Sequence, residues 1–255
     1  MSDSNRVAAG FFSLSAGSPS GDDRPYLAWH LLDHLPEQYQ VPGILLGQRW
    51  ASTPACREVR AVSSDGWSDV DHVVCYLMTE PVDSVLDAFV SLGNRLHEAG
   101  RYEMQLPSRY RGPLRLTGTR VAERVAVSSE VVPFRPHQGI YLIVEALGLP
   151  ERRSTSVTEH ALDALVAVPG IAGAWMFTTA GEDQRPLFTR APVQITVCYL
   201  DEEPVMAAIR LGPLVADLVR TGSVLLAAPF ESLVRWDWDR FGSAPPGPLP
   251  DGKRG

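Results

Sequence analysis

A tetrapeptide that occurs twice constrains the fold of this chain more than any other feature of its sequence. Val74–Leu77 reads Val-Cys-Tyr-Leu and recurs as Val197–Leu200, 123 residues later, and Glu-Pro-Val follows each copy at the same distance. A period of about 125 residues has the size of a small domain and is too long for one unit of a solenoid. The repeat therefore predicts two related domains, at residues 1–130 and 131–241.

A second repeated motif and the order of the predicted elements indicate how each domain folds. Pro42–Ile44 recurs as Pro169–Ile171 at an offset of 127 residues. Hydrophobic periodicity predicts a strand, a helix, two strands, a helix and a strand in each repeat, which is the ferredoxin-like βαββαβ order. The elements are expected at 7–16, 26–35, 44–52, 72–78, 82–100 and 115–127, and again at 140–146, 158–168, 172–179, 193–200, 205–220 and 224–230.

A ferredoxin-like sheet carries helices on one face only, so its other face needs a partner. Two repeats in one chain supply that partner to each other, with sheet facing sheet. We therefore expect an α+β fold in which the two repeats form an internal pseudo-dimeric α/β barrel about an approximate twofold axis.

Composition limits the class of protein and its partners. Lys+Arg 23 against Asp+Glu 30 gives a net charge of −7, and the basic residues do not cluster, so nucleic-acid binding is not expected. The three cysteines form no CxxC pair, which favours a reducing compartment, and no apolar run is long enough to span a membrane. We expect a cytoplasmic protein with a small-molecule substrate and a disordered Pro-, Gly- and Ser-rich tail at 242–255. The sequence leaves open whether the chain forms a homo-oligomer.

One stretch of the first repeat carries a recognisable pattern. Trp29–Glu37 reads Trp-His-Leu-Leu-Asp-His-Leu-Pro-Glu and is followed by Pro42-Gly43 and by Arg49-Trp50. This resembles bacterial dimeric α/β-barrel proteins of the EthD-like kind, which often read W-x-x-x-(D/E)-H-(L/I)-P-E, then P-G, then a basic residue in the second strand. The resemblance implies the barrel fold. It leaves the reaction open, because that superfamily includes polyketide cyclases, muconolactone isomerases, cofactor-free monooxygenases and haem enzymes.

Polar residues of this run have the spacing of one helical face. His30, His34 and Glu37 stand at i, i+4 and i+7. Pro36 disfavours helical geometry at Leu35, so the helix is expected to break there and to leave His34 at its C-terminal end. A histidine in this setting suits acid/base catalysis near neutral pH.

The expected roles follow from these side chains. The candidate catalytic residues are His34, Asp33, Glu37 and Arg49, and the candidate substrate-binding residues are Trp29, His30 and Trp50. His34 is the acid/base, Asp33 or Glu37 orients it, and Arg49 holds a carboxylate or enolate oxygen. The alternative is structural: His34 bridges the helix end to the loop, and Arg49 forms a surface salt bridge with Glu37.

The second repeat serves as an internal control. At an offset of 127 residues, Ala161 replaces His34, Ala164 replaces Glu37 and Met176 replaces Arg49. Any active site is therefore expected in the first repeat only, with the matching space of the second filled by side chains such as Met176 and Phe177. The shared pairs Cys75/Cys198 and Tyr76/Tyr199 are expected to be core residues at matched strand positions.

These residues favour a cofactor-free enzyme of the lyase, cyclase or isomerase type that acts on a small, largely apolar carbonyl compound. Two alternatives stay open: a non-catalytic ligand-binding or assembly protein, and a haem or cofactor-free monooxygenase. A haem would need an axial histidine such as His137 or His160. No metal site is expected, because HExxH is absent and Pro36 disturbs the third ligand of a His30–His34–Glu37 set. His72 and His97 are predicted to be an ordinary strand-start and helix-surface residue.

Overall fold

A computed structural model describes residues 6–102, 105–148, 159–179, 185, 188–220 and 223–233. Its strands are β1 Ala9–Ala16, β2 Ile44–Ala51, β3 Val62–Ser63, β4 Val70–Met78, β5 Ser108–Val121, β6 Gly139–Ala146, β7 Ile171–Thr178, β8 Val193–Leu200 and β9 Val224–Ser232. Its helices are α1 Arg24–Trp29, α2 Leu35–Gln38, α3 Pro54–Glu58, α4 Val82–Glu98, α5 Glu159–Val166 and α6 Pro204–Val219. A π-helical turn, His30–His34, joins α1 to α2, and a 3₁₀ segment spans Ser129–Phe134. The predicted tail at 242–255 lies outside the described residues.

Eight antiparallel strands close into a barrel. Their order is β2-β4-β1-β5-β7-β8-β6-β9, and β9 pairs back with β2, while the two-residue β3 adds to β9. Each half of the chain contributes four neighbouring strands in the same spatial order, and the halves meet edge to edge where β5 pairs with β7 and β9 pairs with β2. The expected α+β barrel is therefore present.

The two halves share one core inside the barrel. Apolar side chains from both halves, among them Phe12, Leu14, Trp175 and Phe177, pack together there. The rings of Phe12 and Phe177 meet edge to face with centroids 5.0 Å apart. Because burial of apolar surface dominates folding energetics, this core joins the halves into one unit.

Helices cover the outside of the barrel in two separate layers. Helices α5 and α6 pack on the outer face of the second half through side chains such as Leu162 and Leu211. Helix α4 packs on the outer face of the first half through Val85, Leu86 and Leu92. The outer face of each half is thus independent of the shared core, and the first of these faces carries the candidate site.

The repeated tetrapeptide does not occupy matched positions in the two halves. Cys75 points into the barrel while Cys198 packs beneath the helices, and Tyr76 packs beneath the helices while Tyr199 points into the barrel. All four are buried, as expected, but the prediction of matched strand positions is wrong. A shift of one residue moves every side chain of a strand to the opposite face, which identical letters in a sequence do not reveal.

The Pro-Gly-Ile motif does occupy matched positions. Gly43 and Gly170 have φ angles of 96° and 92°, a left-handed conformation that glycine adopts without strain. Each carbonyl accepts a hydrogen bond from the residue after a central strand, Thr79 N–H at 2.9 Å and Asp201 N–H at 2.8 Å. The motif therefore starts the second strand of both halves in the same way.

Pro36 does not end the first helix, contrary to the prediction. The chain stays helical to Gln38, because the turn His30–His34 widens to π geometry and Leu35 N–H donates to the carbonyl of His30. A wider turn accommodates a proline that lacks an N–H and would crowd the carbonyl four residues earlier. His34 therefore lies within a continuous helical segment and not at its C-terminal end.

Other differences are smaller. Strand β5, the last strand of the first half, begins at Ser108 and not at Arg115. The Gly112-Pro113 pair is typical of a strand break, but β5 continues through it. Helix α3 and strand β3 were not predicted, as short elements carry little periodic signal. Within the described residues, no helix is both long and apolar enough to cross a membrane.

The shared core predicts energetic coupling between the halves. We expect a double-mutant cycle of Phe12→Leu and Phe177→Leu to give a coupling of about 0.5–1.5 kcal/mol in the free energy of urea unfolding. The control cycle combines Phe12→Leu with Ile143→Val, which lies beneath the helices of the second half, and is expected to be additive within about 0.5 kcal/mol. Equal coupling in both cycles would contradict a core shared through this ring pair.

Candidate functional site

A cavity of about 300 Å³ lies between the outer face of the first half's sheet and the helices that cover it. Strands β1, β4 and β5 form its floor, and α1, the π turn, α2 and α4 form its walls. The side chains that line it are mostly aromatic, imidazole or small: Phe11, Ser13, Ser15, Tyr26, Trp29, His30, His34, Gln38, Val74, Tyr76, Phe89, Val90, Gly93, Asn94, His97, Tyr102, Gln105, Leu106, Arg111 and Phe188. Its volume is at the lower end for small-molecule pockets.

His34 lies on the cavity wall in an aromatic cage. The Trp29 ring stacks on the imidazole with centroids 4.8 Å apart, and the Tyr102 ring meets it edge-on at 5.0 Å. Its Nε2 lies 3.3 Å from Nε2 of Gln38, which also lines the cavity. Its Nδ1 is buried and has no hydrogen-bond partner among the described residues. The side chain is 7% exposed, so it sits in a largely apolar environment.

This environment keeps His34 neutral. Burial is the largest of the effects that together lower the pKa of His34 to about 4; the charges of Arg111 and Arg49 act in the same direction, while the Asp33 and Glu37 carboxylates oppose them. A low dielectric disfavours the imidazolium, and no hydrogen bond to Nδ1 compensates for it. At neutral pH the ring is therefore available to accept a proton.

His30 is a second neutral imidazole on the same wall. Burial lowers the pKa of His30 well below its usual range, with Arg49 contributing in the same direction. Its Nε2 lies 3.4 Å from the hydroxyl of Tyr76, whose pKa burial raises. The His30 and His34 rings are 5.6 Å apart.

Arg49 lies behind the cavity wall. Its Nη1 donates to the Tyr26 hydroxyl at 3.3 Å, and the guanidinium stacks over the Tyr26 ring at 4.6 Å. Its Nε and Nη2 have no hydrogen-bond partner among the described residues, although the side chain is only 5% exposed. It forms no salt bridge with Glu37, so the structural alternative for this pair is wrong.

Asp33 and Glu37 face the surface. Both accept hydrogen bonds from Arg101 Nη2, at 2.9 Å and 2.7 Å. In the described part of the chain neither carboxylate is hydrogen-bonded to His34. Surface ion pairs of this kind contribute little to stability and give the imidazole no fixed orientation.

Trp50 lies inside the barrel and does not line the cavity. Its Nε1 donates to Nε2 of His137 at 3.1 Å, and His137 Nδ1 donates to the carbonyl of Arg135 at 3.0 Å.

The seven residues predicted from the sequence therefore lie in four different places. Trp29, His30 and His34 line the cavity, Arg49 lies behind it, Asp33 and Glu37 are on the surface, and Trp50 is in the barrel core.

Several residues that lie at or beside the cavity carried no signal in the sequence reading. His72 is fully buried and its Nε2 lies 2.8 Å from the Asp23 carboxylate; burial lowers the pKa of His72 despite that hydrogen bond. His97 is exposed but lines the cavity, so it is more than the helix-surface residue that was predicted. Phe188 reaches the cavity from the second half and packs on Phe11 at 5.3 Å.

One pattern does mark the polar floor of the cavity. Ser13 and Ser15 alternate with the buried apolar residues Phe12 and Leu14 in β1. Such alternation places polar groups on one face of a strand, and here that face is covered by helices. The same alternation occurs in β8 at Gln194 and Thr196, so this pattern marks the helix-covered faces of both halves and does not by itself locate the site.

The corresponding space of the second half is packed mostly with apolar side chains. Tyr141, Ile143, Met176 and Leu211 belong to the cluster beneath α5 and α6. Met176 fills this space as expected, whereas Phe177 points into the barrel, so its predicted role is wrong. The second half also buries polar side chains on this face, where Glu145 accepts hydrogen bonds from Gln194 and Ser223, but the imidazole cluster belongs to the first half.

The residues proposed for haem or metal are not placed to bind either group. Both ring nitrogens of His137 are engaged in hydrogen bonds, and His160 is exposed on α5. In the part of the chain that is described, no three His, Cys, Asp or Glu side chains are grouped to hold a metal ion.

The comparisons with known proteins concern the fold. No protein-family model matches the chain, and no curated protein matches it in sequence. The crystal structure of an anthrone oxidase-like protein is similar, with a TM-score of 0.50 and 10% identity over 92% of this chain and 94% of that chain. Two provisionally assigned monooxygenases, from Lactobacillus acidophilus NCFM and Fusobacterium nucleatum, give TM-scores of 0.39 and 0.46, at 10% and 8% identity, over 90% of this chain and 94% of each. The first similarity shows a shared fold.

The neutral state of His34 predicts a specific pH dependence of stability. In the unfolded chain the imidazole protonates below about pH 6.5, whereas in the folded protein it stays neutral down to about pH 4. As the pH falls, the unfolded state therefore binds the proton before the folded state does. The free energy of unfolding decreases by about 3 kcal/mol between about pH 6.5 and pH 4. The free energy of urea unfolding is to be measured at pH 7.5, 6, 5 and 4. Its decrease between pH 7.5 and pH 4 should be about 3 kcal/mol smaller in His34→Gln than in the wild type.

The matched control for this measurement is His160→Gln, since His160 is exposed in the second half. It is expected to keep the wild-type pH dependence. A His34→Gln variant with the same pH dependence as the wild type would show that His34 titrates in the folded protein as it does in the unfolded chain.

Proposed function

We propose that this chain is an enzyme that moves a proton next to the carbonyl group of a planar, largely apolar compound bound in the cavity, with His34 as the acid/base. The observation that carries the proposal is the neutral imidazole of His34, held on the cavity wall between two aromatic rings. General base catalysis requires the unprotonated form, and here burial maintains that form at neutral pH.

Gln38 supports the same role. Its side-chain nitrogen lies 3.3 Å from His34 Nε2, a long hydrogen bond that a ligand oxygen or carbon acid can replace without breaking a strong contact. The amide then becomes a donor for the carbonyl oxygen of the ligand. A hydrogen-bond donor aimed at an oxygen that gains charge lowers the barrier to enolate formation.

A pKa of about 4 makes free His34 a weak base, and the ligand itself corrects this. As the proton moves to His34, negative charge develops on the ligand oxygen within the same low-dielectric cavity. An adjacent anion stabilises the imidazolium and raises the pKa of His34 toward the working pH. The enolate and imidazolium form together as an ion pair, and neither has to exist alone in an apolar site.

The shape of the cavity supports a flat substrate. Trp29, Tyr102, Tyr76 and Phe89 line it, and aromatic faces of this kind bind planar rings by stacking and edge contacts. A volume of about 300 Å³ suits a compound of two or three fused rings better than a long flexible chain. Trp29 and His30 keep their proposed role in substrate binding.

Arg49 acts through the electrostatic effect of its positive charge on the cavity and not through a hydrogen bond to the ligand. Its guanidinium sits behind Tyr26 and its charge lowers the pKa of both His30 and His34. A buried cation near the site also favours an anionic intermediate over a neutral one. We therefore propose electrostatic stabilisation of the enolate for Arg49, and no role in the reaction for the surface residues Asp33 and Glu37 or for Trp50.

A second candidate reaction begins with the same proton removal. The fold is shared with an anthrone oxidase-like protein, and an anthrone is a planar tricyclic ketone of the kind the cavity favours. O₂ can add to the carbanion form of the enolate at a CH₂ group, and loss of water then gives a second carbonyl. One CH₂ and one O₂ yield one C=O and one H₂O, so the chain would need no reducing cofactor for this reaction.

We also propose an evolutionary origin and a cellular compartment for the chain. The shared strand order of the halves and the matched Pro-Gly-Ile motifs support a tandem of ferredoxin-like repeats at 1–130 and 131–241, within the EthD-like dimeric α/β-barrel superfamily. The three cysteines Cys56, Cys75 and Cys198 are buried and unpaired, which supports the cytoplasm as the site of action.

The proposed chemistry is tested by following proton exchange in D₂O with 2-tetralone, an enolisable two-ring ketone, and with anthrone. We expect the wild type to accelerate deuterium uptake at the carbons next to the carbonyl of 2-tetralone and at the C10 methylene of anthrone, whose anion is conjugated with the carbonyl, measured by ¹H NMR. His34→Gln should lose about 10²-fold or more of this rate while keeping its melting temperature within a few degrees. His160→Gln is the control and should exchange at the wild-type rate.

Three outcomes distinguish the candidate functions. Exchange without O₂ consumption supports an isomerase, lyase or cyclase, whereas O₂ uptake with anthrone that depends on His34 supports the oxygenase. Binding of either ketone without acceleration of exchange supports a ligand-binding protein and contradicts the enzymatic proposal, as does a His34→Gln variant that retains the full rate.

A further inference from the structure

The side chains that line the cavity carry positive charge without a matching negative charge. Among the described residues that line it there is no Asp or Glu, and Arg111 is its one permanently charged side chain. This contrasts with the net charge of −7 for the whole chain. His30 and His34 are kept neutral, so they provide no negative or positive charge of their own.

Arg111 differs from the other arginines of its strand. On β5, Arg109 pairs with the carboxylate of Asp69, and Arg115 pairs with Glu80. The guanidinium of the half-buried Arg111 has no hydrogen bond or ion pair within the described chain, although its backbone is fixed. Its N–H donates to Thr189 Oγ1 at 3.0 Å, and its carbonyl accepts from Thr189 N–H at 2.7 Å.

The surroundings make this unpaired cation a binding group. Removing part of a guanidinium from water without a counter-charge is unfavourable, and a ligand anion would compensate for it. Arg49, buried behind the same cavity with two unpaired nitrogens, adds a second positive charge. Both arginines also lower the pKa of His34 on the cavity wall, in addition to the larger effect of its burial.

Arg111 stands where the cavity opens into a groove. A second, more open depression of about 530 Å³ shares Gln105, Leu106, Arg111 and Phe188 with the cavity and continues past Ser108 and Thr189. A ligand seated among the aromatic rings can therefore direct a polar substituent past Arg111 toward solvent. Planar guanidinium groups bind carboxylates through two parallel hydrogen bonds, which fixes the orientation of a flat ligand.

We propose that the ligand of this cavity is an aromatic carboxylate, with its rings against Trp29 and Tyr102 and its carboxylate on Arg111. The inference rests on the proposed function for the location of the rings, and it adds a specificity-determining residue and a substrate class.

The probes for the test are 2-naphthoate and its neutral isostere 2-naphthamide, titrated separately into the full chain by calorimetry at pH 7.5 and low salt. We expect the wild type to bind 2-naphthoate about tenfold to a hundredfold more tightly than 2-naphthamide. Arg111→Gln should remove this preference and leave the affinity for 2-naphthamide unchanged. Arg111→Lys, which keeps the charge but not the paired donors, should give an intermediate preference.

Arg109→Gln is the matched control, because it removes the same charge from the same strand without touching the cavity. It should keep the full preference for 2-naphthoate. Equal affinities for the two probes in the wild type would overturn the proposal, and so would an equal loss of preference in Arg109→Gln and Arg111→Gln. Failure of both probes to bind would contradict the aromatic cavity itself, whereas loss of the charge preference alone would leave the role of His34 standing.

Discussion

Closure of the barrel by pairing of its edge strands is the constraint on which the rest of the structure depends. Where β5 joins β7 and β9 joins β2, the inner faces of both halves are sealed into one apolar core. The outer faces then need only their own helices. The first half can therefore carry a polar, incompletely packed face without weakening the core that holds the protein together.

That outer face is costly for stability. It buries His30, His34, His72 and Arg49, and each of these side chains has at least one polar atom without a partner in the described part of the chain. Such groups each cost about 1–3 kcal/mol when left unsatisfied. The second half packs mostly apolar side chains beneath α5 and α6, and its buried Glu145 carboxylate accepts hydrogen bonds from Gln194 and Ser223. The unpaired imidazole and guanidinium nitrogens of the first half, beside an open cavity, support a functional role for its polar face.

The sequence predicts the regular part of the fold and the centre of the site, but little of what surrounds them. Periodicity places the long strands and helices, and the run from Trp29 to His34 leads to the cavity wall. Periodicity does not reveal the opposite orientations of the two Val-Cys-Tyr-Leu copies, because identical residues do not specify the strand register or the face of the sheet that each side chain occupies. Nor does it bring Arg111 and Phe188 to the cavity, since both arrive through strand pairing and tertiary packing far from the helix. Pro36 misleads, because a local propensity is overridden by a π turn.

The proposed function requires that the cavity beneath the first half's helices bind the substrate beside His34. A crystal structure of the protein with 2-tetralone tests this directly. The predicted result is a ring system packed against Trp29 and Tyr102, with the ketone oxygen within hydrogen-bond distance of His34 or Gln38. A ligand found inside the barrel beside Trp50 and His137, or on the surface with the cavity left unfilled, would contradict substrate binding at His34.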